Sequence, residues 1–296
     1  MAEQNWLTDK FEENRGHLRA VAYRMLGTAS DADDAVQETW LRLSRGDADG
    51  IANLGGWLTT VVAHVCLDML RSRKARSEEP LASEATDSSP IMSRKAAIDP
   101  EREALLADSV GLALLVVLDR LTPAERLAFV LHDMFAVPFE EIAEIVGRSA
   151  EATRQLASRA RRRVQGAPES GDRVRGEQRK VIEAFLAALR AGDFEGVVAV
   201  LDPEVVVHAD AVAAAGAAAP GIHGAEAWAR QAMLYSRGAR FVQVALVDGS
   251  VGAILAPHGK LTRALKFSIE NGKIKKMEVI GEPVRLNELE LAIVAD

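Results

Sequence analysis

The period of the apolar residues changes once along this chain, and that change forbids a single uniform fold. Up to about residue 165, apolar side chains recur at intervals of three and four, as in helices with one buried face. Further on they fall into short runs, Phe241 to Val247, Val251 to Leu255, Leu261 to Ile269 and Ile274 to Ile280, separated by turns that include Asp248-Gly249 and Asn271-Gly272. Those dipeptides accept the positive φ values of tight hairpins. A chain of 296 residues with this pattern predicts helical domains followed by an α+β domain in which helices pack on a curved antiparallel sheet.

Leu18, Val21, Ala22, Met25 and Leu26 mark a first helix, and Ala32, Ala35, Val36, Thr39, Trp40 and Leu43 a second. The second opens on Ser30, with Asp31, Asp33 and Asp34 in a first turn whose unpaired amides favour a cap and negative charge. A third starts near Gly56-Trp57 and runs through Val61, Val62, Val65, Leu67, Met69 and Leu70 to a basic end at Arg71, Arg73, Lys74 and Arg76. Residues 1–76 thus make one small bundle. Ser77 to Asp99 is rich in Ser, Glu, Pro and Ala without an apolar period, and reads as a linker that extends to about residue 104.

A second helical domain over 105–166 begins near Pro100 and contains Thr122-Pro123-Ala124-Glu125, a capping box with proline at the first helical position, which predicts a helix to about Phe135. Phe139, Ile142, Ala143 and Val146 then form a stripe closed by Gly147, and Ser149 caps a helix that buries Thr153, Leu156, Ala157, Ala160 and Val164. Two short helices joined by Gly147-Arg148-Ser149 are a helix-turn-helix. The outward face of the second is Glu151, Arg154, Gln155, Ser158, Arg161 and Arg162, and five arginines fall between Arg154 and Arg163 with no acid among them. Such side chains suit base edges and phosphates, the other reading being a solvated helix end favoured by the macrodipole. After a polar connector, Gly166 to Gly176, the last domain, 174–296, opens with an amphipathic helix through Val181, Ile182, Phe185, Leu186 and Leu189 and a strand from Val205 to His208.

Several classes are excluded. The longest apolar stretch, Val110 to Leu118, is about half of what a bilayer span needs, so no membrane partner is expected. Asp9, Lys10, Glu12 and Glu13 interrupt any signal-peptide core, which points to the cytoplasm. The single cysteine, Cys66, excludes an internal disulfide and a thiolate-rich zinc site and sits in an apolar run as a core residue; no metal and no cofactor are expected. The net charge of −7 argues against autonomous nucleic-acid binding: residues 1–165 carry 21 basic and 26 acidic side chains (net −5), and the rest 15 and 17 (net −2). DNA recognition then has to come from local clusters, or from a partner that supplies the electrostatic grip.

The run Asp33-Asp34-Ala35-Val36-Gln37-Glu38-Thr39-Trp40-Leu41-Arg42-Leu43, followed by Trp57-Leu58-Thr59-Thr60-Val61-Val62 with Asp68 and Arg71, resembles region 2 of extracytoplasmic-function (ECF) sigma factors of bacterial RNA polymerase. Leu121 to Arg126, Phe139 to Ala143 and Arg154 to Arg161 resemble region 4 of the same family, and the remaining third resembles the cone-shaped SnoaL-like (NTF2-like) fold. The resemblance implies a multidomain protein: two all-α sigma domains followed by an α+β cone. It further implies partners, namely core RNA polymerase, through its β′ clamp helices and β flap, and promoter DNA. Asp34, Gln37 and Glu38 would be the polymerase-binding residues; Asn53, Leu54, Trp57, His64, Arg71, Arg73 and Lys74 would meet the minus-ten element; and Arg154, Ser158, Arg161 and Arg162 the minus-thirty-five element. The C-terminal domain would act in cis, and His208, Asp210, His223, Trp228 and Tyr235 are candidates for a pocket holding an unidentified small ligand. No catalytic residue is assigned. Two other classes stay open at this level: a ligand-sensing DNA-binding regulator that works without polymerase, and an NTF2-like enzyme fused to a helix-turn-helix, which would need a titratable pair in one cavity.

Overall fold

Glycines and side-chain caps set where the N-terminal helices begin and end. The computed structural model describes residues 2–45, 51, 53–78, 111–166, 172–214 and 221–294. The linker does not begin at Ser77 as read, because the third helix runs on through Glu78; from residue 79 onward the linker, and the domain start near Pro100, lie outside the described residues. Helix α1 (Ala2–Leu26) stops at Gly27, whose φ of 84° a side chain would strain, and α2 (Ala29–Arg45) follows. The cap of α2 is Thr28, not Ser30: the Asp31 N–H donates to Thr28 Oγ1 at 3.2 Å. The turn at Gly27 leaves the hydroxyl of the next residue facing the free amides, so the helix starts earlier than its acids suggest. Helix α3 (Leu54–Glu78) likewise begins before Gly56-Trp57, because Asn53 Oδ1 accepts from the Gly56 N–H at 3.0 Å.

Helices α4 (Leu112–Asp119) and α5 (Pro123–Phe129) precede the helix-turn-helix. The capping box is formed in both directions: Thr122 Oγ1 accepts from the Glu125 N–H, and Glu125 accepts from the Thr122 N–H. Beyond Phe129 the helix widens into a π-turn over Val130–Met134, so it does run to about Phe135. Helix α6 (Phe139–Val146) closes on Gly147 at φ 72°, and α7 (Ala150–Gln165) is capped by Ser149 Oγ, which accepts from Ala152 at 3.2 Å. Thr153, Leu156, Ala157, Ala160 and Val164 are all buried, as the spacing requires.

The chain divides into two compact units, Met1–Ser109 with Leu118–Arg161, and Val110–Val117 with Arg162–Asp296. In the first, Phe11, Leu18 and Met25 of α1, Leu43 of α2 and Leu58 and Leu67 of α3 are fully buried, each contributing about 1.5–3 kcal/mol of transfer free energy.

The second unit carries α8 (Asp172–Ala191), α9 (Phe194–Val200), β1 (Leu201–Ala209), β2 (Ile222–His223), α10 (Ala225–Met233), β3 (Val242–Val247), β4 (Ser250–Leu255), β5 (Arg263–Glu270), β6 (Lys273–Ile280), α11 (Pro283–Glu288) and β7 (Leu291–Ala292). The part of the Gly166–Gly176 connector from residue 172 onward is helical, inside α8; residues 167–171 lie outside the described residues. The strands form one sheet in the order β2-β1-β6-β5-β4-β3-β7. Every pair is antiparallel except β1 with β6, so the expected antiparallel sheet is in fact mixed. A parallel neighbour needs a long crossover, which the helix and hairpins between β1 and β6 supply. Asp248-Gly249 and Asn271-Gly272 both take positive φ at each residue, the geometry of two-residue hairpin turns. Phe185, Leu186 and Leu189 of α8 pack with Val205 and Val207 of β1, Trp228 of α10 and Met277 of β6 in one apolar cluster. The end of α7 is tied into this unit: the Ile293 N–H donates to the Val164 carbonyl at 2.8 Å, and a side chain on Gly166 would meet Ala292 at 3.1 Å.

Cys66 is buried in α3, and desolvation pushes its thiol up to about 12. The folded protein is therefore expected to resist a thiol-disulfide reagent at pH 8 and to react stoichiometrically in denaturant. Rapid modification of the native protein would show that α3 is not packed as described.

Candidate nucleic-acid interface

On α2, the buried residues Ala32, Ala35, Val36, Thr39 and Leu43 leave the opposite face free. Its three N-terminal acids have different fates. Asp31 pairs with Arg73 at 2.7 Å and Asp33 with Arg19 at 2.5 Å, whereas Asp34 is exposed and has no ion pair among the described residues. Gln37 is exposed, and half-exposed Glu38 holds Arg42 at 3.0 Å. Leu41 lies one to two turns further along this face and is 36% exposed. Sequence reasoning passed over Leu41, although an apolar residue opposite the buried stripe was the available signal.

Trp57, His64 and Arg71 of α3 recur every seven residues and so share one stripe, half-exposed at Trp57 and His64 and exposed at Arg71. Leu54 is half-exposed at the helix start, and Asn53 spends its side-chain oxygen on the cap. Lys74 is exposed. Arg73 differs from its neighbours: besides Asp31, it donates to the Leu26 carbonyl at 3.2 Å, so it joins the three helices from within.

The outward face of α7 presents Arg154, Gln155, Ser158 and Arg162 as exposed side chains, with Arg161 half-exposed. Two of its arginines are held by acids of preceding elements, Arg154 by Glu140 at 2.8 Å and Arg161 by Asp133 at 2.8 Å. Exposed pairs of this kind contribute little and exchange readily for phosphate. Among the described residues no group of three His, Cys, Asp or Glu side chains could hold a metal ion, and no helix is long and apolar enough to cross a membrane.

In the second unit a cavity of about 520 Å³ opens between α8, α10 and the sheet. Trp228 and Tyr235 line it; His208 and Asp210 do not. The alternation of β1 explains the first: Val205 and Val207 face the core and Ala209 the cavity, so His208 falls on the other side. His223 is exposed on β2 and also lies outside the cavity. Asp210 serves the backbone. Burial alone would raise its pKa, but N–H donors from Ala213, Gly281 and Glu282, with Arg285 beyond them, hold the carboxyl below its ordinary value. Sequence reasoning missed Arg263, which faces the cavity from β5 two residues before Leu265.

Comparison with known proteins identifies the family of both helical segments. The first bundle matches the family Sigma-70 region 2 over residues 11–76, and the helix-turn-helix segment matches Sigma-70, region 4 over residues 111–164. The ECF RNA polymerase sigma factor SigJ of Mycobacterium tuberculosis (strain ATCC 25618 / H37Rv) is 39% identical over 93% of this chain and 91% of its own. The chain belongs to the ECF RNA polymerase sigma factors. A probable member, SigI of Mycobacterium tuberculosis (strain CDC 1551 / Oshkosh), is 33% identical over 98% of each chain. A crystal structure of Mycobacterium tuberculosis SigJ aligns at 33% identity over 94% of this chain and 98% of its own, with a TM-score of 0.44.

Region 2 and residues 118–161 of region 4 pack together within the first unit. Arg126 of α5, 2% exposed, donates from Nε to the Arg24 carbonyl at 3.1 Å and from its guanidinium to Asp119 at 3.3 Å. Beside it, Arg24 lies over the Phe135 ring, and His17 meets that ring edge-on at 5.2 Å. Asn53, Gly55 and Gly56, at the start of α3, share a cleft with Phe135, Val137 and Pro138. Replacing Arg126 by Met should lower the stability of the first unit by about 1–3 kcal/mol, because the Arg24 carbonyl is left buried without its donor. Urea unfolding checks this; an unchanged midpoint would mean that the packing does not depend on Arg126.

Proposed function

We propose that this ECF sigma factor recruits core RNA polymerase and reads a promoter through separate faces of regions 2 and 4, and that its C-terminal unit governs their availability. The observation that carries the reading is the pair of exposed polar faces on α2 and α7, each backed by a buried apolar stripe. Asp34, Gln37, Glu38 and Leu41 would dock on the clamp helices of the β′ subunit, and region 4 on the β flap. Trp57, His64 and Arg71, with Asn53, Leu54 and Lys74 beside them, would take up the opened strand of the minus-ten element. Aromatic stacking and cationic contact to phosphate are what such capture requires. Arg73 would act mainly as a brace under this stripe. Arg154, Ser158, Arg161 and Arg162, with Gln155, would enter the major groove at the minus-thirty-five element.

The two elements lie about 25 base pairs apart, roughly 85 Å along the duplex at 3.4 Å per pair. A compact unit of about 150 residues has a radius of gyration of only about 15 Å. Region 2 and residues 118–161 of region 4, joined by Arg126 within one such unit, therefore fall well short of the distance between the two elements, and this reading makes the described form a closed one that opens on polymerase. The C-terminal unit has a direct means of influence, because it takes in residues 110–117 and 162–166, one at each end of region 4. Within it the Ala113 N–H donates to Gln243 of β3 at 2.9 Å. No covalent step belongs to this reading: among the described residues, the titratable side chains on the cavity wall are Tyr235 and Arg263, with neither carboxylate nor imidazole.

Run-off transcription with core polymerase tests the promoter assignment. The double variant Arg154→Ala, Arg161→Ala should lose promoter-specific initiation while still binding core polymerase; full run-off activity would refute the assignment. A chain ending at residue 170 should differ from the full chain in the same assay, and identical transcripts from both would remove the regulatory role of the C-terminal unit.

A further inference from the structure

The cavity of the second unit has a chemical character that the sigma reading does not use. Its wall is apolar over most of its extent, with Phe185, Leu189, Trp228, Val242 and Leu265 among the lining residues. At about 520 Å³ it lies within the range of cavities that hold small organic ligands. Among the described residues a single full charge lines it. Arg263, half-buried at the start of β5, lines the cavity, and its side chain has no ion pair or hydrogen bond among the described residues. At least twelve other arginines make ion pairs with acids. Among the described residues no acid lines the cavity. The other polar groups are neutral: Gln231 and Tyr235, whose amide and hydroxyl lie 3.4 Å apart. Trp228 offers its ring surface only, since its Nε1 is buried without an acceptor.

We propose that this cavity binds a small apolar carboxylic acid, with its hydrocarbon body among Phe185, Leu189, Trp228 and Leu265 and its carboxylate on the Arg263 guanidinium. A planar guanidinium pairs with a carboxylate through two parallel N–H···O bonds, and partial desolvation strengthens them. A cation at the wall of an apolar cavity selects an anion and disfavours an amine of the same shape; the apolar wall sets the rest of the ligand. The inference concerns the cavity alone, and its test does not depend on transcription.

Calorimetric titration of the full-length protein with decanoate and 4-phenylbutyrate, each beside its alcohol and its amine, decides the matter. The carboxylates should bind more tightly than about 1 mM and exceed the matched alcohols by roughly tenfold, the size of one charge-assisted hydrogen bond in a partly desolvated site. In Arg263→Gln that preference should vanish while alcohol binding is kept, which also shows that the variant is folded. Arg263→Lys should keep part of it. Equal binding of acid and alcohol by the wild-type protein, undiminished carboxylate preference in Arg263→Gln, or no binding of either acid would each overturn the proposal. A transcription assay with and without the acid then asks separately whether occupancy matters to the sigma factor, and its failure would leave the binding result standing.

Discussion

A buried guanidinium organises the first unit. Arg126 sits among apolar side chains at 2% exposure, where desolvation pushes its pKa down and Asp119 opposes the shift. Such a charge persists only where its donors are satisfied, and here they meet groups that lacked partners of their own. The end of α1 leaves carbonyls unpaired, as any helix end does; Arg126 takes that of Arg24 and Arg73 that of Leu26. The negative end of the α1 dipole favours two cations at that place. Capping a helix of region 2 with a residue of region 4 joins the two regions by an interaction that is costly to break on one side only.

This arrangement ties the stability of the unit to its function as read above. The cleft that holds the start of α3 against Phe135 and Pro138 lies beside the same junction, so the stripe bearing Trp57, His64 and Arg71 begins where region 4 packs. On α7 the internal pairs Arg154–Glu140 and Arg161–Asp133 neutralise part of the arginine cluster in the free protein. Under the proposed function, both features suit a factor whose DNA-binding surfaces become fully available in the company of polymerase, and both would reconcile a net charge of −7 with promoter recognition.

Much of this was legible in the residues. The capping box at Thr122 and Glu125, the cap at Ser149, the buried face Thr153 to Val164 and the two hairpin turns were all read correctly, because each depends on side chains within a few positions of one another. Those interactions survive almost any tertiary context. Where local reading slipped, a backbone turn or a distant strand was responsible: Gly27 moved the start of α2 to Thr28, Asn53 moved that of α3, and the pairing of β1 with β6 made the sheet mixed. The pocket candidates divided for the same reason. Trp228 and Tyr235 line the cavity, while His208 is turned away by strand alternation and Asp210 is taken up by three backbone amides.

The sequence by itself determined the helices, their caps and buried faces, the hairpins, and through its motifs the family. Periodicity and capping are short-range, so they can be read without knowing what lies opposite. Only the tertiary structure decided which charges are spoken for. Arg73 and Arg126 look like surface arginines in the sequence and prove to be structural, whereas Arg263 looks like any strand cation and lines an apolar cavity with no side-chain partner among the described residues. The role of a charge is fixed by its neighbours in space and by its access to water, and neither is written in the spacing of residues along the chain.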